Sequence, residues 1–97
     1  MISLEKYVVR NKDMVWRMVG NEVFIINKDG TVIHQLNIVG SEIWKSSEGN
    51  LTISQIIENI CNSFEIGADQ VNADTIQFVE NMLAQRLVEL KDGPVNP

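Results

Sequence analysis

Two tight-turn signals near the start of the chain leave little freedom for the segments between them. Gly20-Asn21 tolerates the positive φ angles of a short hairpin. Asn27-Lys28-Asp29-Gly30 combines side chains that bond their own backbone with a glycine for the left-handed position. The segments they separate, Met14–Val19, Glu22–Ile26 and Thr31–Leu36, are rich in β-branched and aromatic residues. Turns this short force antiparallel neighbours, so residues 14–36 are predicted to form a three-stranded meander in the order 1-2-3. Its last strand, Thr31 to Leu36, then lies at an edge, with one row of backbone N–H and C=O groups unpartnered.

From residue 37 the apolar spacing turns helical. Asn37 is placed to cap a helix over about 38–47 bearing Ile38, Val39, Ile43 and Trp44, with Gly49 past its end. Thr52-Ile53-Ser54-Gln55 fits a capping box, opening a helix of about 52–63 with Ile53, Ile56, Ile57 and Ile60 on one side. Phe64-Glu65-Ile66-Gly67 reads as a connector, and Asp69 as the cap of a long helix, about 70–88, free of Gly and Pro. On that helix Val71, Thr75, Ile76, Phe78, Val79, Met82, Leu83 and Leu87 cover roughly half the circumference, wider than the ~100° stripe that faces a core. Either both edges of this arc are buried, or a small core covers one and leaves part of the other available. The expected layout is α+β: one domain over residues 1–92, then a mobile tail over 93–97.

Charge and the reactive residues narrow the function classes. Of 97 residues, 8 are basic and 13 acidic, a net charge of −5. The imbalance lies beyond residue 37, where Lys45, Arg86 and Lys91 face nine acids. Such a surface suits nucleic acid poorly, because binding there depends on Lys and Arg neutralising phosphates. One cysteine, Cys61, permits neither an intramolecular disulfide nor a cysteine-based zinc site. One histidine, His34, holds a strand position without a triad partner, and reads as a side chain facing solvent or lining a ligand site. Glu58, Glu65, Asp69, Asp74 and Glu80 are spaced as a solvated helical face, and no phosphate loop, dinucleotide fingerprint or metal-ligand spacing occurs. No apolar run approaches the ~20 residues of a membrane span, and Met1–Lys6 lacks the apolar core of a signal peptide. The expectation is a reduced, cytoplasmic, non-catalytic protein with no cofactor, no metal, and no nucleic-acid or membrane partner.

The residues in this order resemble the PqqD family. The resemblance is carried by Val15-Trp16-Arg17, Glu22-Val23, Leu36-Asn37 with Gly40 shortly after, Ile43-Trp44, Glu48-Gly49, Thr52-Ile53 and Ile56. It continues through Phe64-Glu65-Ile66, Val71, Asp74, Phe78-Val79, Leu83 and Leu87-Val88, and spans about 8–90. It implies an α+β fold in which a three-stranded antiparallel sheet precedes a three-helix, winged-helix-like bundle. It also implies a recognition element of pathways that make ribosomally synthesised, modified peptides. Such a protein captures the leader of a precursor peptide as an added strand on the third strand. It then presents the core to a modifying enzyme, such as a radical S-adenosylmethionine protein or a leader peptidase. Carried over by position, the edge is Thr31, Val32, Ile33, His34, Gln35 and Leu36. The facing helix supplies Phe78, Asn81, Met82 and Gln85, whose adaptable apolar and polar side chains suit a groove rim. The alternative wall is Ile76, Glu80, Leu83 and Leu87.

Residues 1–12 extend beyond the resemblance. A strand formed by Leu4, Tyr7, Val8 and Val9 would occupy the binding edge if it paired there. It is expected instead near the first strand or in self-association, with the stand-alone chain a monomer or weak homodimer. Two readings of other classes stand beside this one. A winged-helix DNA-binding regulator would need basic residues where 69–88 hold Asp69, Asp74 and Glu80 against Arg86 alone. A structural subunit would oligomerise through its edge strand.

Overall fold

In the computed structural model, residues 2–27 and 29–95 are described. In order they form β1 (Tyr7–Arg10), β2 (Val15–Val19), β3 (Glu22–Ile26), β4 (Ile33–Gln35), α1 (Ile38–Ser46), β5 (Glu48–Thr52), α2 (Ile53–Phe64), α3 (Ala68–Ala84) and β6 (Val88–Lys91). The strands make two three-stranded antiparallel sheets, β2-β3-β4 and β5-β1-β6. The class is α+β, as expected, and the first sheet is the N-terminal meander. The remaining order α1-β5-α2-α3-β6 gives the winged-helix-like part.

The meander's register sorts its side chains. Trp16, Ile25 and His34 form one cross-strand row, and Val15, Ile26 and Ile33 the next, on the opposite face. Val23 and Ile25 are buried while Phe24 and Ile26 are only partly so, which identifies the inner face. Against it sits α1, capped by Asn37, whose Oδ1 accepts from the Gly40 N–H at 2.7 Å. Buried Ser41 fastens α1 to the sheet: its Oγ accepts from the Val23 N–H at 2.8 Å and donates to the Leu36 carbonyl at 3.2 Å. The capping box on α2 is formed, with the Gln55 N–H donating to Thr52 Oγ1 at 3.2 Å and the Thr52 N–H to Gln55 Oε1 at 2.9 Å. Ile53, Ile56, Ile57 and Ile60 of α2 meet Val71, Val79 and Met82 of α3 in one core that also takes Val8, Leu87 and Val88.

Several elements depart from the sequence-based expectation. The N-terminal segment is a strand, but it pairs with no strand of the meander; β1 is the middle of the second sheet. Its link to the meander is Arg10, whose guanidinium lies 5.0 Å from the Trp16 ring centroid and donates to the Trp44 and Lys45 carbonyls at 2.9 and 3.0 Å. A cation there complements the negative end of α1. Residues 48–52 read as a connector and cap, because Gly49 breaks any local strand signal. Pairing with β1 makes them β5, with an irregular register and Gly49 at φ +89°.

The long helix is Ala68–Ala84 rather than 70–88, with Gly67 and not Asp69 at its N-cap. Leu87 and Val88 extend a helical stripe, but Val88-Glu89-Leu90-Lys91 also fits the period of a strand, and pairing from Arg10↔Val88 to Tyr7↔Lys91 decides it. In the segment expected to be a mobile tail, the Val95 N–H donates to the Gly49 carbonyl at 2.7 Å. Asn96 and Pro97 of that tail, Lys28 of the second turn and Met1 lie outside the described residues.

Candidate functional site

The turn before β4 is built from short polar side chains. The Thr31 N–H donates to Asn27 Oδ1 at 3.0 Å and to Asp29 Oδ1 at 3.2 Å, while Thr31 Oγ1 donates to Asp29 Oδ1 at 2.7 Å. The Thr31 hydroxyl, then its N–H, hold the Asp29 carboxyl below its ordinary value by favouring the charged form. Gly30 at φ +75° completes the reversal. Beyond the turn, the Asn27 N–H donates to the Val32 carbonyl at 3.1 Å and the Leu36 N–H to the Val23 carbonyl at 2.9 Å. Bonded pairs alternate along an antiparallel ladder. Val32, His34 and Leu36 therefore turn their backbone groups toward β3, and Ile33 and Gln35 turn theirs outward. Among the described residues no strand pairs with that outer side.

Alongside the open edge runs a cleft of ≈ 390 Å³ between β4 and α3. Ile33, His34, Gln35 and Leu36 line one side, and Phe78, Asn81, Met82 and Gln85 the other, with buried Leu87 between. The structure thus brings together all four helix residues of the favoured wall and the last four of the edge. Thr31 is outside the cleft, engaged in the turn, and Val32 lines the next cleft along, ≈ 420 Å³, with His34, Gln85, Arg86, Asn11 and Asp13. Of the alternative wall only Leu87 takes part; Ile76, Glu80 and Leu83 do not line the cleft.

A third cleft, ≈ 320 Å³, continues from Phe78 and Asn81 to the gap between α1 and α3, past Val39, Ile43, Ile66 and Val71 to Asp74. Neither it nor the Arg86 end was foreseen from sequence. The available signal was Gly40 inside an apolar helix. A Cβ there would lie 2.8 Å from Phe78 Cε2 and 3.1 Å from Asn37 Oδ1, so the glycine lets the Phe78 ring seat directly on α1. Shared walls join the three clefts into one trough along α3, apolar in its bed and amide-rich at its rim. Its chemistry suits an extended polypeptide: open main-chain donors and acceptors on one side, adaptable side-chain pockets on the other. Among the described residues no group of three or more His, Cys, Asp or Glu is arranged to hold a metal ion. No helix is long and apolar enough to cross a membrane.

Comparison with known proteins bears on the same elements. Residues 22–88, from the start of β3 to the start of β6, match the family described as Coenzyme PQQ synthesis protein D (PqqD). Among solved structures the chain is similar to TbiB1 in complex with the TbiA(beta) leader peptide. That match has a TM-score of 0.75 at 22% identity, over 84% of this chain and 94% of that one. At such identity the likeness is one of fold. No curated protein matches the chain.

Proposed function

The chain belongs to the PqqD family, and on that premise we propose that it captures the leader of a ribosomally made precursor peptide and presents it to a modifying enzyme. The leader adds as a strand to the outer side of β4 and drops alternate side chains into the trough against α3. The observation that carries this reading is one juxtaposition: the outward backbone of Ile33 and Gln35 stands beside an apolar wall of Phe78 and Met82. Main-chain bonds give affinity with little demand on sequence, and pockets give choice. A chain of this fold, TbiB1, is known in complex with a leader peptide, which supports the reading. A micromolar complex is worth about −8 kcal/mol. Apolar anchors at ~1.5–3 kcal/mol each, together with the main-chain bonds, supply the favourable side, against which the ordering costs are set.

The receiving enzyme is a radical S-adenosylmethionine protein or a leader peptidase, as the family resemblance implies, and this chain's own part is binding rather than catalysis. A DNA-binding role fits the helix poorly, since α3 carries Asp69, Asp74 and Glu80 and no Lys or Arg. Titration with the synthetic leader of a genomically neighbouring precursor tests the proposal. Amide signals of residues 31–36 and of the Phe78–Gln85 face should move together. Shifts confined to α2 or to the C-terminal segment would refute it.

A further inference from the structure

We propose that Arg86 selects peptides bearing an acidic side chain at the Val32 end of the trough, an inference that rests on the peptide-binding reading above. Arg86 follows the last turn of α3 at φ +61°, the left-handed region that favours glycine. The Leu87 N–H donates to the Met82 carbonyl at 2.9 Å and the Arg86 N–H to the Leu83 carbonyl at 3.0 Å. This is a Schellman motif with arginine at the position where glycine is commonest.

The side chain does nothing visible for the fold. Among the described residues its guanidinium has no hydrogen bond or ion pair; only backbone groups are used, the N–H in the motif just described and the carbonyl accepting from Asn11 Nδ2 at 2.8 Å. The backbone is thus strained for a head group that no internal contact requires, and strain of this kind points to a site. Arg86 is exposed and lines the cleft it shares with Val32, His34 and Gln85. Among the described residues it is the only Lys or Arg on any of the three joined clefts. Asp74 marks the opposite end, where a peptide carboxylate is repelled. A planar guanidinium beside open backbone meets a carboxylate in a two-pronged, oriented contact. Asp13 also lines the Arg86 end, whereas the Asp74 end holds an acid and no base. Among the described residues the cation a carboxylate can meet therefore lies at the Val32 end, and this sets which way round an acidic peptide lies.

Selection from a display library of random peptides tests this on the full chain and on Arg86→Gly. The peptides are about twelve residues long, enough at ~3.3 Å per residue to overspan β4. The wild type should enrich Asp or Glu at one fixed distance from the apolar anchors, and Arg86→Gly should enrich the same anchors without the acid. For the best wild-type peptide, Arg86→Gly and the peptide's own acid-to-amide change should each weaken binding about tenfold, and together no further. Affinity should fall with added salt for the wild type and hold nearly constant for the variant. The thermal midpoint of Arg86→Gly should equal or exceed the wild type's, because the left-handed strain is relieved. A lower midpoint would make Arg86 a structural residue and overturn the inference. So would an enriched acid that survives the substitution, or enrichment with no acid at all; both leave the groove reading standing. Enrichment of no peptide by either protein would overturn that reading and this inference with it.

Discussion

The open side of β4 separates backbone pairing from side-chain packing in one substitution. Ile33→Pro removes an N–H that points away from β3, because the ladder bonds of this strand are made by Val32, His34 and Leu36. Proline is tolerated on an edge strand when the missing N–H faces solvent, and the Ile33 side chain is 64% exposed, so little packing is lost. The fold should therefore survive, with a melting midpoint shifted by no more than a few degrees for about 0.5 kcal/mol. In the complex the change removes one main-chain bond worth ~1 kcal/mol. The pyrrolidine ring also occupies the space of the incoming strand and breaks a neighbouring bond of similar size. The sum, ~2 kcal/mol, predicts a rise of about 30-fold in Kd. Ile33→Ala keeps the N–H and should stay within about threefold. His34→Pro strikes the inner ladder and should unfold the meander instead. Calorimetric titration of leader peptide into each variant, beside circular-dichroism melts, checks all three. A folded Ile33→Pro protein that binds within about threefold of wild type would refute strand addition at β4.

Three further outcomes follow from particular contacts. Gly40→Ala places a methyl 2.8 Å from Phe78 Cε2, and forcing α1 from α3 should cost ~1–3 kcal/mol in thermal melts. Phe78→Leu in the same background should recover part of that loss. Ser41→Ala strands the buried Val23 N–H and should cost ~1–3 kcal/mol in urea unfolding, with the denaturant slope unchanged. The Asp29 carboxyl has a folded value below its ordinary 3.8, so its hold on the turn is complete above that value and lost only as pH falls through the lowered one. The Thr31 amide resonance should follow that transition, and a midpoint at or above 3.8 would refute the assigned bonds.

Local signals made the meander and the α1 and α2 caps legible; the Phe78–Gln85 wall follows by position from the family resemblance. The local features are decided within a few residues: Gly20 and Gly30 by their positive φ, Thr52 and Gln55 by reciprocal bonds. The second sheet was not legible, because neither β5 nor β6 holds its shape alone. Glu48–Thr52 contains a glycine, and Val88–Lys91 continues an apolar stripe already on the helix. Both become strands only because Tyr7–Arg10 lies between them, some forty and eighty residues away in the chain. The trough's full extent was hidden for a related reason. A wheel shows which helix face is apolar, whereas the Phe78 seat on Gly40 and the turn at Arg86 depend on where a neighbouring element stops.

The meander has a second open side, and comparing the two explains why one suits a guest. β2 is also unpaired beyond β3 among the described residues, with Val15, Arg17 and Val19 exposed. A peptide adding there would gain the same main-chain bonds as at β4. It would gain no helix wall: none of the clefts along α3 takes in a residue of β2, and the cleft of ≈ 340 Å³ that Trp16 of β2 lines is walled largely by polar and charged Arg10, Asn11, Lys12, Ser47 and Glu48. The difference is therefore side-chain burial: two anchors at ~1.5–3 kcal/mol each favour β4 by ~3–6 kcal/mol, about 10²- to 10⁴-fold. Self-pairing of β2 is opposed as well. A two-fold antiparallel pair centred on this five-residue strand sets Arg17 against its own copy, and like charges directly opposite are destabilising. Bound leader should thus slow amide exchange at Ile33 and Gln35 while leaving Val15–Val19 unchanged. Protection of β2 instead would mean that the apolar flank of α3, and not the open backbone alone, has been given the wrong part in choosing the edge.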